Sequence, residues 1–504
     1  MMSEDKRAEA DTPLMDICEP DSNRPAWLDS EQRKSSRWTQ IGLVSLTLLV
    51  LAGFTVVTGK SKCNTVQKGF NCQGELSHLW GQYSPWFSVK SEISPDIPEK
   101  CTVTFAQVLS RHGSRDPTAG ATLKYAALIA STKTVVKSFP GKYAFLANYS
   151  YTLGADQLNH FGRQELINSG VKFYGRYKNL ARKVSPFVRS ASQERVVESA
   201  QKFAQGYHNA LLKDKSHGKD SYPYPIVVIS EDSGSNNTLN HGLCTAFENG
   251  TVSVGDSAQK KWLSVFGPAI QKRLNNDLKG ANYSLSDVVS FMDLCPFETV
   301  ASPTGVLSSF CVLFTKDEWK AYDYYESLGK FYGYGPGNPL GPTQGVGFTN
   351  ELIARLTNTA VQDHTSTNHT LDSSASTFPF DKSHVLFADF SHDNDLTGIL
   401  AALGVYNKTK PLSNSTIETA KQAGGYSASW TVPFASRIYF EKMTCGGKSS
   451  GKSNEELVRV IVNDRVLPLE QCKGDKLGRC TLQNFVNSLS FARNGGLWNE
   501  CFPR

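Results

Sequence analysis

Val103-Thr104-Phe105-Ala106-Gln107-Val108-Leu109-Ser110-Arg111-His112-Gly113-Ser114-Arg115-Asp116-Pro117 is the stretch that decides the fold. Val103 to Leu109 is apolar and β-prone, the pattern of a buried strand. The strand gives way to a turn that holds a histidine between two arginines. In an open α/β sheet that edge is where ligands bind. Guanidinium forks suit phosphate oxygens, and Gly113 lets the backbone come close to a bound group. A neutral imidazole there is a competent nucleophile toward phosphorus. Taken alone, the R-H-G tripeptide fits a charged surface turn equally well.

Two further stretches repeat the arrangement. Val385-Leu386-Phe387-Ala388-Asp389-Phe390 reads as a second strand and ends in a polar turn with His392 and Asp393. A helical pattern follows at Leu396, Ile399, Leu400 and Leu403, closed by Gly404. Pro186-Phe187-Val188-Arg189-Ser190 is a third, short strand with Arg189 near its end. Behind it Val196, Val197, Ala200, Phe203, Ala204 and Tyr207 recur at helical spacing.

R-H-G-x-R-x-P with a distant H-D resembles the histidine acid phosphatases. Ser77-His78-Leu79-Trp80-Gly81-Gln82-Tyr83, Gly335-Pro336-Gly337-Asn338-Pro339-Leu340-Gly341-Pro342-Thr343-Gln344-Gly345 and Trp430-Thr431-Val432-Pro433-Phe434-Ala435-Ser436-Arg437 are similar to segments of the secreted fungal 3-phytases. The resemblance runs from about Cys63 to Phe502. It implies an α/β fold, a mixed central sheet flanked by helices with an inserted α-rich domain. It implies that His112 is the nucleophile and becomes a phosphohistidine, and that Asp393 protonates the leaving alkoxide. Arg111, Arg115 and Arg189, with His392, are the expected phosphate-binding residues. The implied substrates are phytate and other phosphomonoesters, handled in acid without a metal or other cofactor. A phosphoglycerate-mutase-like enzyme is disfavoured by the H-D motif and the many cysteines. A broad phosphatase with little phytate preference and a non-catalytic membrane glycoprotein also fit this scaffold; retention of both His112 and Asp393 disfavours the latter.

The chain departs from its relatives around the expected mouth. Asp116 stands where an aromatic residue is usual. Only Lys124 remains of several lysines after the motif, a paired lysine is reduced to Gly329-Lys330, and Asp395 replaces a usual glycine. Each change removes positive or adds negative charge. Asp116, Lys124 and Lys330 are therefore the expected specificity residues, with a weakened preference for phytate.

The chain has 504 residues and a formal charge of +6. No basic block has the aromatic interleaving of a single-strand binder, so nucleic acid is not an expected partner. Residues 1–40 are polar and aperiodic, and read as a disordered cytosolic tail. Residues 41–59 contain the apolar run from Ile41 to Val57, just long enough to span a bilayer. Arg33, Lys34 and Arg37 before it favour a single-pass type II anchor, though Lys60 and Lys62 weaken the asymmetry. A cleaved signal and secretion is the alternative; the long polar leader disfavours it. Residues 60–100 read as an aromatic-rich arm, 101–244 with 358–504 as the α/β catalytic domain, and 245–357 as the α-rich domain, in a monomer.

Ten cysteines follow the apolar run, an even number that fits an oxidising compartment. Short loops suggest Cys63–Cys72, Cys295–Cys311 and Cys472–Cys480. The resemblance adds Cys101–Cys445 and Cys244–Cys501. Glycosylation sequons begin at Asn148, Asn236, Asn249, Asn282, Asn368, Asn407 and Asn414, all beyond the run.

Overall fold

The structure, a computed structural model, describes residues 63–446 and 455–502. The described residues all fall within one compact unit, Lys62–Arg504. The expected tail and membrane span lie outside the described residues. Among the described residues no helix is long and apolar enough to cross a membrane.

The decisive stretch forms strand β1, Cys101–Arg111. From Phe105 onward every residue of it is buried, because both faces of the sheet are covered. That is why its apolar run lacks alternation. The sheet also contains β2 (Phe187–Ala191), β3 (Ile226–Ile229), β4 (Leu386–Ser391), β5 (Arg437–Cys445), β6 (Glu456–Val462), β7 (Arg465–Val466) and β8 (Arg479–Thr481). Its order is β8-β6-β5-β1-β4-β2-β3, with β7 on β6. From β1 to β3 the strands are parallel; from β1 to β8 they are antiparallel. The sheet is therefore mixed, as expected, and β1 stands where its two halves meet. The parallel half brings the C-terminal ends of β1, β4, β2 and β3 to one edge, with Arg111 opposite Ser391.

The helices needed below are α1 (Ala119–Val135), α2 (His160–Arg176), α3 (Glu194–Leu212), α4 (Thr245–Asp277), α5 (Leu285–Ala301), α6 (Lys316–Gly333), α7 (Val346–Thr357) and α8 (Asp393–Ala402). One apolar core surrounds the sheet and includes Phe203, Phe348, Leu352 and Leu396. A second joins α1, α5 and α6 through Tyr125, Phe291, Met292 and Trp319. Burying each such side chain contributes about 1.5–3 kcal/mol. The expected division at 245 and 357 does not coincide with the division between these cores. Helix α1 precedes 245 yet packs in the helical core, and α7 precedes 358 yet packs on the sheet, because each helix follows its apolar face.

Among the described residues five disulfides join Cys63–Cys72, Cys101–Cys445, Cys244–Cys501, Cys295–Cys311 and Cys472–Cys480. Cys101 and Cys445 are register partners on β1 and β5. That bridge closes a loop of 344 residues. On the chain-entropy account a loop that long is worth about 6 kcal/mol.

Candidate active site

Gly113 has a packing role that its sequence context did not announce. A Cβ there would lie 2.5 Å from the carbonyl oxygen of Gly162 in the first turn of α2. A Cβ on Gly162 would lie 2.0 Å from the Ser114 carbonyl oxygen. The two glycines let helix and motif touch backbone to backbone. Buried Glu165, also on α2, holds the turn: its Oε2 accepts from Ser114 N at 2.9 Å and Ser114 Oγ at 2.7 Å. The turn thus rests on a helix rather than on solvent.

The imidazole of His112 is buried. Its Nδ1 lies 2.8 Å from the Gly113 carbonyl oxygen. A carbonyl only accepts, so Nδ1 carries the proton and Nε2 keeps its lone pair. Burial first, then the charges of Arg111, Arg115 and Arg195, hold the ring's pKa well below the usual imidazole value. A neutral ring among cations is the state a nucleophile needs.

Arg111 is fully buried. Its Nη1 donates to the carbonyl oxygens of Gln82 and of Val432, the latter at 2.8 Å. Its guanidinium lies 4.5 Å from the centre of the Phe434 ring. Gln82 and Phe434 belong to two of the segments quoted above, so distant parts of the chain converge on this side chain. Nε and Nη2 of Arg111 and Nε of Arg115 are buried without hydrogen-bond partners. Such donors are costly to leave unmet, and an oxyanion is the ligand that satisfies them.

Asp393 opens α8, and His392 is its N-cap. The carboxylate lies 3.4 Å from Arg111 Nη2 and 2.7 Å from Lys330 Nζ. Burial alone would raise its pKa; Arg111 and Lys330 outweigh burial and hold it well below the usual carboxylate range. The rings of His112 and His392 are 5.6 Å apart, edge to face. Nε2 of His392 lies 2.7 Å from Oε1 of Glu231.

The expectation for Arg189 does not hold. Its side chain is buried on the face toward α7 and is fully used there. Nε donates to Asp389 at 2.7 Å, and Nη1 and Nη2 donate to Glu351 at 3.0 and 2.7 Å. Arg355 joins through Asp389 at 2.8 Å. The cation that reaches the centre from this unit is Arg195, near the start of α3, felt by both His112 and Arg115. Its Nε is buried without a partner. Arg195 lies beyond the strand's own arginine, in the helix that follows it. In the other two units His112, His392 and Asp393 likewise follow the strand rather than sit within it.

The expected specificity residues fall into two places. Lys124 and Lys330 line a polar cleft of about 310 Å³ with Gln82, Asp256, Asp293 and Glu326. The cleft adjoins the centre through Lys330. Asp116 is half-buried beside Gly154, whose backbone N–H bonds to it; burial raises its pKa. Asp395 is buried within the fields of His241 and His392 rather than at the mouth. Among the described residues no cluster could hold a metal ion.

A neutral imidazole, three arginines and a carboxylate on one sheet edge define a centre for phosphoryl chemistry. Residues 102–463 match the histidine phosphatase superfamily (branch 2), and the chain belongs to that superfamily. It is 52% identical over 472 residues to Phytase A of Aspergillus awamori, covering 92% of this chain and 99% of that protein. Phytase A of Aspergillus oryzae is 51% identical over 469 residues, covering 91% and 98%. The crystal structure of the phytase from D. castellii superposes with a TM-score of 0.68 at 23% identity, over 84% of this chain and 86% of that one. That likeness concerns the fold.

Proposed function

We propose that this protein is an acid phosphatase that hydrolyses phytate and other phosphomonoesters through a phosphohistidine at His112. The observation that carries the reading is the His112 tautomer, with Nδ1 bonded to Gly113 at 2.8 Å and Nε2 free to attack. Two relatives at about half identity, each called Phytase A, support the substrate class.

In the proposed cycle Nε2 of His112 attacks phosphorus in line with the leaving oxygen. Arg111, Arg115 and Arg195 neutralise the equatorial oxygens. An N–P bond forms and the P–O bond to the alcohol breaks, while Asp393 gives its proton to the leaving alkoxide. Without ligand, Asp393 is a carboxylate held by Arg111 and Lys330. A phosphate dianion competes for Arg111, which loosens that hold and lets the acid take up a proton. Asp393 then accepts a proton from the water that attacks the phosphohistidine. Two steps replace one difficult displacement.

We also infer that the run Ile41–Val57 anchors the enzyme with its catalytic unit on the extracellular or lumenal side. The flanking Arg33, Lys34 and Arg37, the sequons and the disulfides support this reading.

The deciding experiment is His112→Ala with acid-quench labelling. The variant should fold and lose turnover by on the order of 10⁴-fold or more; the wild type should trap phosphate on His112. Appreciable turnover in the alanine variant would end the mechanism.

A further inference from the structure

Strand β3 is the outermost of the parallel strands, and its end also lies at the catalytic edge. Glu231 follows it closely. Its side chain is 6% exposed. Oε1 accepts from His392 Nε2 at 2.7 Å, and Oε2 accepts from the backbone N–H of Gln193 at 3.2 Å. Its own N–H donates to Ser192 Oγ at 3.0 Å. Gln193 is the N-cap of α3, the helix that carries Arg195. One carboxylate therefore links the turn that bears His392 to the turn that bears Arg195.

A carboxylate buried beside an anion site weakens anion binding unless its charge is balanced. The ring that faces it can supply the balance. With Nε2–H donated to Glu231, Nδ1 is the remaining donor position of His392. It donates to a phosphate oxygen only when the ring is doubly protonated. The groups around this ring come from three other elements. His112 follows β1, with ring centres 5.6 Å apart. Glu231 follows β3. Asp393 and Asp395 are on α8, and Asp395 is buried with Oδ1 unpartnered within the field of His392. Arg111, Arg115 and Arg195 act on the same centre from the side of His112, and Lys330 reaches it through Asp393.

We propose that Glu231 is a positioning residue for phosphate binding. It fixes the His392 ring through Nε2, keeps it in register with Arg195, and places a carboxylate opposite the ring whose Nδ1 faces the phosphate. This rests on the reading of the phosphate site given above.

The test uses the full chain, inorganic phosphate as inhibitor and p-nitrophenyl phosphate as substrate, from pH 3 to pH 7. Glu231→Gln keeps the shape and removes the charge. Its phosphate Ki should match wild type near the acid end and weaken about tenfold near pH 6, with the upper limb of kcat/KM about one unit lower. Glu231→Asp should recover part of the loss. A Gln variant with wild-type Ki and limb would overturn the proposal, as would an equal loss at every pH. Nitrogen NMR of His392 in the wild type reads the ring directly, even if the variants do not fold. A neutral ring protonated only on Nδ1 would also overturn it. A wild type without phosphatase activity would instead sink the functional reading.

Discussion

Lys330 Nζ lies 2.7 Å from Asp393 Oδ2, closer than Arg111 Nη2 at 3.4 Å. The same ammonium lies 2.6 Å from Asn394 Oδ1. Lys330 lines the cleft. Its geometry also makes it the nearest brake on the proposed acid.

The first prediction follows from that brake. Asp393's pKa is depressed, so its proton is held weakly. Removing Lys330 raises the pKa, and the protonated acid persists to higher pH. In Lys330→Met the upper limb of the kcat–pH profile for an alkyl phosphate should rise by about one unit, or about 1.4 kcal/mol. A p-nitrophenyl leaving group needs little protonation and should show less shift. A limb that stays put or falls would remove Asp393 from the acid role.

Arg189 and Arg195 separate a structural arginine from a ligand-binding one. Arg189 is paired with Asp389 and Glu351 in the interior. Arg189→Met leaves both carboxylates short of a cation and should cost about 3–5 kcal/mol of stability. Among the described residues the ion-pair partner of Arg195 is Asp156, at a loose 3.6 Å. Arg195→Met should leave the melting temperature nearly unchanged and raise the phosphate Ki at least about tenfold. Chemical denaturation and inhibition assays on both variants check the pair. The reverse pattern would restore Arg189 to the site.

The contrast shows what the sequence makes legible. His112, Asp393 and Arg111 each lie at a strand's end, and the continuous apolar runs locate those ends. Lys330 is reached through resemblance alone. Arg195, in the first turn of α3, and Glu231, just past β3, escape a reading by periodicity because neither belongs to a strand's apolar run. Arg189 is misplaced by such a reading because a strand residue faces one side or the other, and only the packed helix α7 shows which. Glu165 looks like an ordinary polar position of α2 until the backbone contact between Gly113 and Gly162 is seen.

The membrane reading makes a third prediction. The full-length protein should stay with membranes after carbonate washing. Peptide mapping should find glycans at Asn148, Asn249, Asn282 and Asn407, which are exposed. Asn236 and Asn368 are half-buried. Asn236 donates to the Thr367 carbonyl at 2.8 Å, and Asn368 caps a short helix by accepting from Leu371 N at 3.2 Å. Both should remain unmodified. A soluble mature form beginning near Lys60 would support cleavage instead.

The fourth prediction concerns Asp116 and is a matter of pH. The sequence suggests a fixed negative charge that disfavours a polyanion. In the structure burial raises the pKa of Asp116. Burial likewise raises Asp293 and Glu326 in the cleft. A raised carboxyl is neutral below its pKa and charged only above it. In strong acid the cleft therefore presents Lys124 and Lys330 against neutral carboxyls, and phytate should be well accepted. As pH rises the carboxyls ionise and the preference should fall. An incompletely buried charge is worth under about 1 kcal/mol, or about fivefold. Asp116→Asn should thus raise the kcat/KM ratio of phytate over p-nitrophenyl phosphate by about two- to fivefold near pH 6, and hardly at all near pH 3. A gain of equal size at both pH values would mean that Asp116 acts through shape; no gain at either would remove it as a determinant.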